Sequence, residues 1–362
     1  MSFFKKYLKN KKIIITGHTG FKGSWLTLWC LLSGAKVVGI SKGSTGSLLH
    51  YKKLNIDSKI RNLDFDIKNL KKLKNTFNKV KPDYVFHLAA QSLVKKSYER
   101  PIETFTSNTV GTLNILEALR VIKNKCHAVI ITSDKSYKNL ETNKGYKEND
   151  LLGGDDPYSA SKGAAELVIN SYFKSILKNK KNISISVSRA GNVIGGGDWS
   201  EDRIIPDCVK SWSKNRPVTI RNPSSTRPWQ HVLEVIRGYL QSAIIIKSNK
   251  KLNGEVFNFG PNNNQNKTVI QLVREMKKNW SQIKWKTKKN KKGDKESKLL
   301  KLNSNKSKMI LNWEPILNFN EAVYLTTVWY RKFYMKKNCF NLSKNQILYY
   351  EKKLLNKISK RK

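Results

Sequence analysis

The segment KIIITGHTGFKG, residues 12–23, joins an apolar, β-branched run to three evenly spaced glycines. The run reads as a buried strand, because branched side chains fit a covered, pleated surface. Gly17, Gly20 and Gly23 form a G-x-x-G-x-x-G turn, and FKGSWLTLWCLLSGA (21–35) after it reads as a helix. Glycines between strand and helix let backbone amides approach a pyrophosphate, whose charge settles on the helix N-terminus. The turn therefore predicts a dinucleotide site drawn from Gly17, Thr19, Gly20, Phe21, Lys22 and Gly23. Trp25 and Trp29, four apart on that helix, read as packing against the sheet.

Outward from this unit, KVVGI (36–40), DYVFHLAA (83–90), HAVIITS (127–133) and ISISVSRA (183–190) read as further strands. Helical stretches at 68–80, 105–122 and 158–178 separate them. Such alternation predicts an α/β fold, a Rossmann-type doubly wound parallel sheet covered by helices. After Arg189 the texture changes to glycine- and proline-punctuated loops, GNVIGGGDW and NPSSTRPWQHV. The expected division is a dinucleotide-binding domain over 1–190, with 231–262 returning to it through GEVFNFGP (254–261). A smaller C-terminal α/β substrate domain takes 191–230 and 263–335, with helices near 268–280 and 320–334. Residues 336–362 read as a basic tail that frays.

The 362-residue chain carries 70 Lys and Arg against 26 Asp and Glu, a formal charge of +44. Such an excess suits nucleic acid or an anionic membrane. The lysines are instead spread over the whole length, as filling of solvent-facing positions would spread them, and no nucleic-acid recognition motif accompanies them. The densest run, KWKTKKNKKGDKESK (284–298), reads as a solvated loop. Cys30, Cys126, Cys208 and Cys339 form no C-x-x-C pair, which argues for a reducing compartment and against structural zinc. No metal site is expected. Neither a signal peptide nor a membrane-spanning run is legible, so the expected location is cytoplasmic, with an anionic small molecule as partner.

An acidic residue about 20 positions beyond the glycines ordinarily holds the adenosine ribose. Here Ser41 and Lys42 stand in that place, leaving NAD and NADP both open. Asp64, in LDFDI, is placed either to meet the adenine end or to cap the next helix. Tyr158 and Lys162, in DPYSASK, have the spacing of a catalytic pair, one helical turn apart. The same spacing recurs at Tyr7/Lys11 and Tyr349/Lys353, both remote from any nucleotide site. Only Tyr158 follows a strand ending in TSD, and a neighbouring ammonium favours the phenolate that a base requires.

The chain resembles the extended short-chain dehydrogenase/reductases, and within them the nucleotide-sugar 4,6-dehydratases, over about residues 10–335. The resemblance is carried by TGHTGFKG, HLAAQSLV (87–94), SNTVGTLNILEA (107–118), TSDKSY (132–137), DPYSASKGAAE (156–166), SRAGNVIGGGDW (188–199) and RPWQHV (227–232). It implies NAD as cofactor, Leu88 and Ala89 lining it, Asn108 on the nicotinamide side, and Asn192 and Arg227 on the sugar nucleotide. Most such dehydratases read Thr-Asp-Glu where this chain has Ser133, Asp134 and Lys135. The retained aspartate with a lysine after it is similar to the subgroup acting on CDP-glucose, in deoxysugar and O-antigen synthesis.

The resemblance implies that Tyr158 takes the 4-hydroxyl proton, Ser133 holds that oxygen, and Asp134 protonates the departing 6-hydroxyl. Lys135 either removes the C5 proton or steadies the enolate by charge. Arg189, Asn192, Arg221 and Arg227 are candidate phosphate and ribose contacts, since arginine suits anions. Trp199 and His231 are candidates to stack on or bond the base, with core packing the competing role. Rival readings are a dehydratase of dTDP- or GDP-sugars, a 4-epimerase, or a nucleic-acid-binding protein on the same scaffold. A homodimer built from two first-domain helices is implied by the resemblance.

Overall fold

Seven parallel strands form the sheet that positions everything else in the computed structural model, which describes residues 2–43, 48–142, 144–262, 266–281, 283–287 and 300–360. In chain order they are β1 (Lys12–Thr16), β2 (Lys36–Ser41), β3 (Arg61–Asp64), β4 (Tyr84–His87), β5 (Cys126–Ile131), β6 (Ile183–Ala190) and β7 (Val256–Phe259). Their spatial order is β7-β6-β5-β4-β1-β2-β3, so the order reverses beside β1, the switch point where α/β sheets open a crevice. Ile14 pairs with Val38 on one side and Val85 on the other, a register that places the ends of β1 and β4 together.

The helices cover both faces. On one lie α1 (Phe21–Leu32), with Trp25 and Trp29 fully buried, and α5 (Val232–Ser248). On the other lie α2 (Leu70–Val80), α3 (Gly111–Val121) and α4 (Pro157–Tyr172), through Phe77, Ile115, Leu116 and Ile169. Strand β7 pairs with β6, so the chain re-enters the first sheet after crossing the second region. That region is built of short pairs: Val193–Ile194 with Gln230–His231, Thr226–Pro228 with Asn266–Thr268, and Val218–Ile220 with Trp285–Thr287. Helices Ile204–Trp212, Val269–Lys277 and α6 (Phe319–Tyr334) pack around them.

Two expectations are corrected here. The C-terminal segment does not fray, because Cys339–Ser359 forms helix α7, whose Ile347, Tyr350 and Leu354 are buried. Its Glu351 accepts hydrogen bonds from Trp29 Nε1 at 2.7 Å and from the Phe3 amide at 3.0 Å, fastening both chain ends to α1. The basic run at 284–298 begins as a strand, Trp285–Thr287, and residues 288–299 lie outside the described ones. Among the described residues no helix is long and apolar enough to cross a membrane.

Candidate active site

The glycine turn fits a dinucleotide. Gly17 has φ +72°, a left-handed conformation, and a Cβ there would stand 2.7 Å from the Ala89 amide nitrogen. A Cβ on Gly23 would overlap the Gly17 carbonyl, so the start of α1 lies hard against the end of β1. No side chain caps α1 and its first turn carries Lys22 with no acidic residue, leaving the N-terminal amides to an anion. Ser41 Oγ stands 3.4 Å from the Thr19 amide, while Asp64, exposed at the end of β3, accepts from the Gly43 amide at 2.8 Å. The cap of α2 is Asn69, which removes that role from Asp64. His18, which sequence reading passed over inside the glycine motif, is buried and bonded to Asn62 at 2.7 Å and Ser41 at 2.9 Å, tying the glycine turn to the end of β2 and to β3.

At the far end of the crevice stand β5 and α4. Ser133 and Asp134 are buried where β5 ends, and Ser133 Oγ donates to Asp134 Oδ1 at 2.9 Å. Burial raises the Asp134 carboxyl above its ordinary range, against the pull of Lys135, Ser133 and Lys22. Gly191 makes room for this carboxyl. Asp156 caps α4 by accepting from the Ser159 amide at 2.9 Å, and Pro157 occupies its first turn, so Tyr158 and Lys162 start the helix on one face. Burial raises the Tyr158 phenol, while the Ser133 hydroxyl and Arg203 draw it down. Lys162 is pushed down to about 8 by burial and then by Lys22, with Glu166 opposing. Lys22 is pushed to about 8 by burial and Arg203. His87, below them, is held neutral, driven to about 3 by burial and Lys162, and bonds Thr16 at 2.7 Å and Thr112 at 3.1 Å.

Four expected ligand contacts take other work. The Arg189 guanidinium is committed to Glu166, each side chain only 3% exposed, so it faces the interior rather than a diphosphate. Buried His231 caps α5, Nδ1 accepting from the Leu233 amide at 3.3 Å, and meets no base. Trp199 packs on Tyr330, Phe333 and Tyr334 as core. Asn108 ties the loop after β4 to α4: Oδ1 accepts from the Gln91 amide at 2.8 Å, and Nδ2 donates to Gln91 O at 3.0 Å and Ser161 Oγ at 2.9 Å.

Leu88, Ala89, Asn192 and Arg227 are half-buried. Arg227 Nη1 donates to Thr226 O at 2.8 Å, and exposed Arg221 pairs with Asp202 at 3.4 Å. Arg203, absent from the sequence reading, enters the crevice instead. Asp198, the aspartate of GGGDW, holds it at 2.8 Å, and its charge reaches Tyr158 and Lys22. The site thus pairs a Tyr–Lys couple, suited to moving a hydroxyl proton, with a buried carboxyl whose pKa burial raises, suited to protonating a leaving group.

The sequence model of the family described as GDP-mannose 4,6 dehydratase matches residues 14–326. The chain is 40% identical over 351 residues to the CDP-glucose 4,6-dehydratase of Salmonella typhimurium, covering 95% of this chain and 97% of that one. An epimerase of Methanothermobacter thermautotrophicus superposes with a TM-score of 0.77 at 25% identity, over 92% of this chain and 96% of that one. The dTDP-glucose 4,6-dehydratase of Bacillus anthracis, solved in complex with NAD, superposes with a TM-score of 0.70 at 21% identity, over 89% and 97%. The family model over most of the chain and the 40% identical relative show that the chain belongs to the GDP-mannose 4,6 dehydratase family of extended short-chain dehydrogenase/reductases.

Proposed function

We propose that the chain is a CDP-glucose 4,6-dehydratase, forming CDP-4-dehydro-6-deoxyglucose and water. The observation carrying this reading is the buried Asp134 carboxyl, raised by burial and joined through Ser133 to the Tyr158 phenol. An epimerase never expels the 6-hydroxyl and has no use for that acid. The preference for cytidine rests on the 40% identical relative. The glycine turn, Lys22, Asp64, Leu88 and Ala89 would hold NAD, with Asn192, Arg203, Arg221 and Arg227 toward the sugar nucleotide.

In this mechanism Tyr158 accepts the 4-hydroxyl proton while Ser133 bonds the same oxygen and Lys162 contributes positive charge beneath. NAD, when bound, supplies the acceptor for the C4 hydride and gives that hydride back at C6, so no net redox change results. Once C4 is a ketone the C5 proton is acidic. Asp134 then protonates the departing 6-hydroxyl, Lys135 removes the C5 proton, and C5 takes a proton again as C6 is reduced. Burial raises the Asp134 carboxyl and so favours the protonated form that the acid requires, while the positive charge of Lys135 opposes it.

The assembly we propose is a homodimer. Tyr98, Ile102, Phe105, Val110 and Leu167 are exposed apolar residues on the segments Val94–Glu99, Pro101–Phe105 and Thr106–Val110 and on α4, which pack together. Ile102→Glu should shift the solution mass toward one chain.

The deciding experiment is mass spectrometry of CDP-glucose incubated with enzyme and NAD, with dTDP-glucose and GDP-mannose in parallel. Loss of one water from the CDP-sugar alone supports the reading. Water loss only from another sugar moves the base preference, and epimerisation without water loss overturns the dehydratase.

A further inference from the structure

We infer that Glu166 is a positioning residue for the elimination step, a buried carboxylate that holds the Ser133–Asp134–Lys135 turn in register from behind. The inference rests on the roles given to that turn above. Glu166 follows Lys162 by one helical turn, as Lys162 follows Tyr158, so three side chains at intervals of four share one face of α4. Tyr158 and Lys162 meet the crevice, and Glu166 passes beneath it.

Its Oε1 accepts from Thr132 Oγ1 at 2.7 Å and stands 2.9 Å from Ser136 Oγ. Those hydroxyls flank the three reacting residues on either side. The Ser136 hydroxyl also lies 2.6 Å from Ser133 O, so its single hydrogen bridges the turn and the carboxylate. Arg189 Nε adds a bond to the same Oε1 at 2.7 Å, and Nη2 bonds Oε2.

Only a carboxylate satisfies this arrangement. A glutamine would turn an amide N–H toward the guanidinium, and charge-assisted acceptance is the stronger tether. Arg189 is itself fixed, its guanidinium carbon 4.4 Å from the Tyr137 ring centre, and Tyr137 donates to Asn258 on β7 at 2.9 Å. The turn that carries the acid is thereby referenced to helix α4 and to two strands of the sheet.

The test removes the tethers while leaving the ion pair intact. Thr132→Val, Ser136→Ala and their double variant are compared with wild type by circular dichroism, NAD affinity, steady-state kinetics and hydrogen exchange. For the folded double variant, kcat should fall about tenfold or more, because a displaced acid loses its alignment. KM should stay within about threefold, since binding groups are untouched. Reduced-nicotinamide absorbance should build up during turnover, because C4 oxidation through Tyr158 and Lys162 outruns elimination. Backbone amides of residues 133–137 should exchange faster while those of β5 keep their protection.

An unchanged kcat together with unchanged exchange at 133–137 would overturn the inference and leave Glu166 a structural partner of Arg189. Should wild type dehydrate no nucleotide sugar, the proposed function fails on its own, and the exchange measurement still decides whether Glu166 holds the turn.

Discussion

A β-carbon placed on Gly191 would lie 2.8 Å from Asp134 Oδ2, so the backbone after β6 forms the wall against which the acid rests. Two loops at neighbouring strand ends thus define one oxygen's position. Gly191→Ala should fold, since its backbone is not in a left-handed conformation, and should push the carboxyl aside. We expect kcat to drop about 10- to 100-fold with KM little changed, the signature of a misplaced group rather than a lost binding contact.

Asp134→Asn keeps size and removes the transferable proton. The chain should still oxidise C4, because Tyr158 and Lys162 are untouched, while water loss slows by about 10²- to 10⁴-fold. Rapid-quench analysis should find the reduced cofactor with a 4-keto sugar that retains its 6-hydroxyl. Slow oxidation instead would move Asp134 into the first step.

Lys135 separates base from electrostatic stabiliser by its substitutions. Arginine preserves charge and cannot deprotonate, so Lys135→Arg should lose C5–solvent deuterium exchange to the same degree as Lys135→Met. Exchange retained in the arginine variant and lost in the methionine one would assign Lys135 to charge alone.

The pH profile follows from Lys162, held down to about 8 by burial and Lys22. In the proposed mechanism a protonated Lys162, one helical turn along, favours the Tyr158 phenolate that burial opposes, so activity should fall as pH rises through about 8, well below the ordinary lysine range. Lys22→Met removes a repelling cation, and the alkaline limb should move upward in pH while the rate on its plateau falls through loss of a cofactor contact. A limb that stays put would mean that another group limits the rate.

Local pattern reached the sheet because β1 and β5 carry continuous apolar runs, Ile13–Ile15 and Ala128–Ile131, and the glycine turn joins a strand to a helix. It placed Tyr158 and Lys162 on one face of a helix because their spacing is a helix period. It failed where a side chain's partner is remote in sequence. Arg189 reads as an anion ligand until Glu166 is seen 23 residues earlier and in contact. His231 and Trp199 read as base contacts because a loop motif does not reveal that its side chains turn inward. Asp198 and Arg203 lie five apart in GGGDWSEDR, and only the fold brings that pair to Tyr158. A lysine-rich composition masked α7, whose buried face of Ile347, Tyr350 and Leu354 is regular beneath many exposed charges.

That helix supplies the last prediction. Tyr350 donates to Glu234 Oε2 at 2.5 Å and accepts from Arg237 Nε at 2.8 Å, inside a cluster where both charged side chains are fully buried. Glu234 also accepts the amides of Ile316 and Leu317 at 2.7 Å, so the C-terminal helix, α5 and the approach to α6 meet at one carboxylate. Tyr350→Phe leaves a buried charge short of a donor and should cost about 1–3 kcal/mol of stability, read as a lowered denaturant midpoint with an unchanged slope. The substitution is remote from the crevice, so kcat should be retained in the folded protein. Deleting residues 339–362 should be far worse, because it also strips Glu351 from Trp29 on α1, the helix that begins at the glycine turn. Recovery of a soluble, folded, NAD-binding chain after that deletion would show that α7 merely covers the domain instead of completing its core.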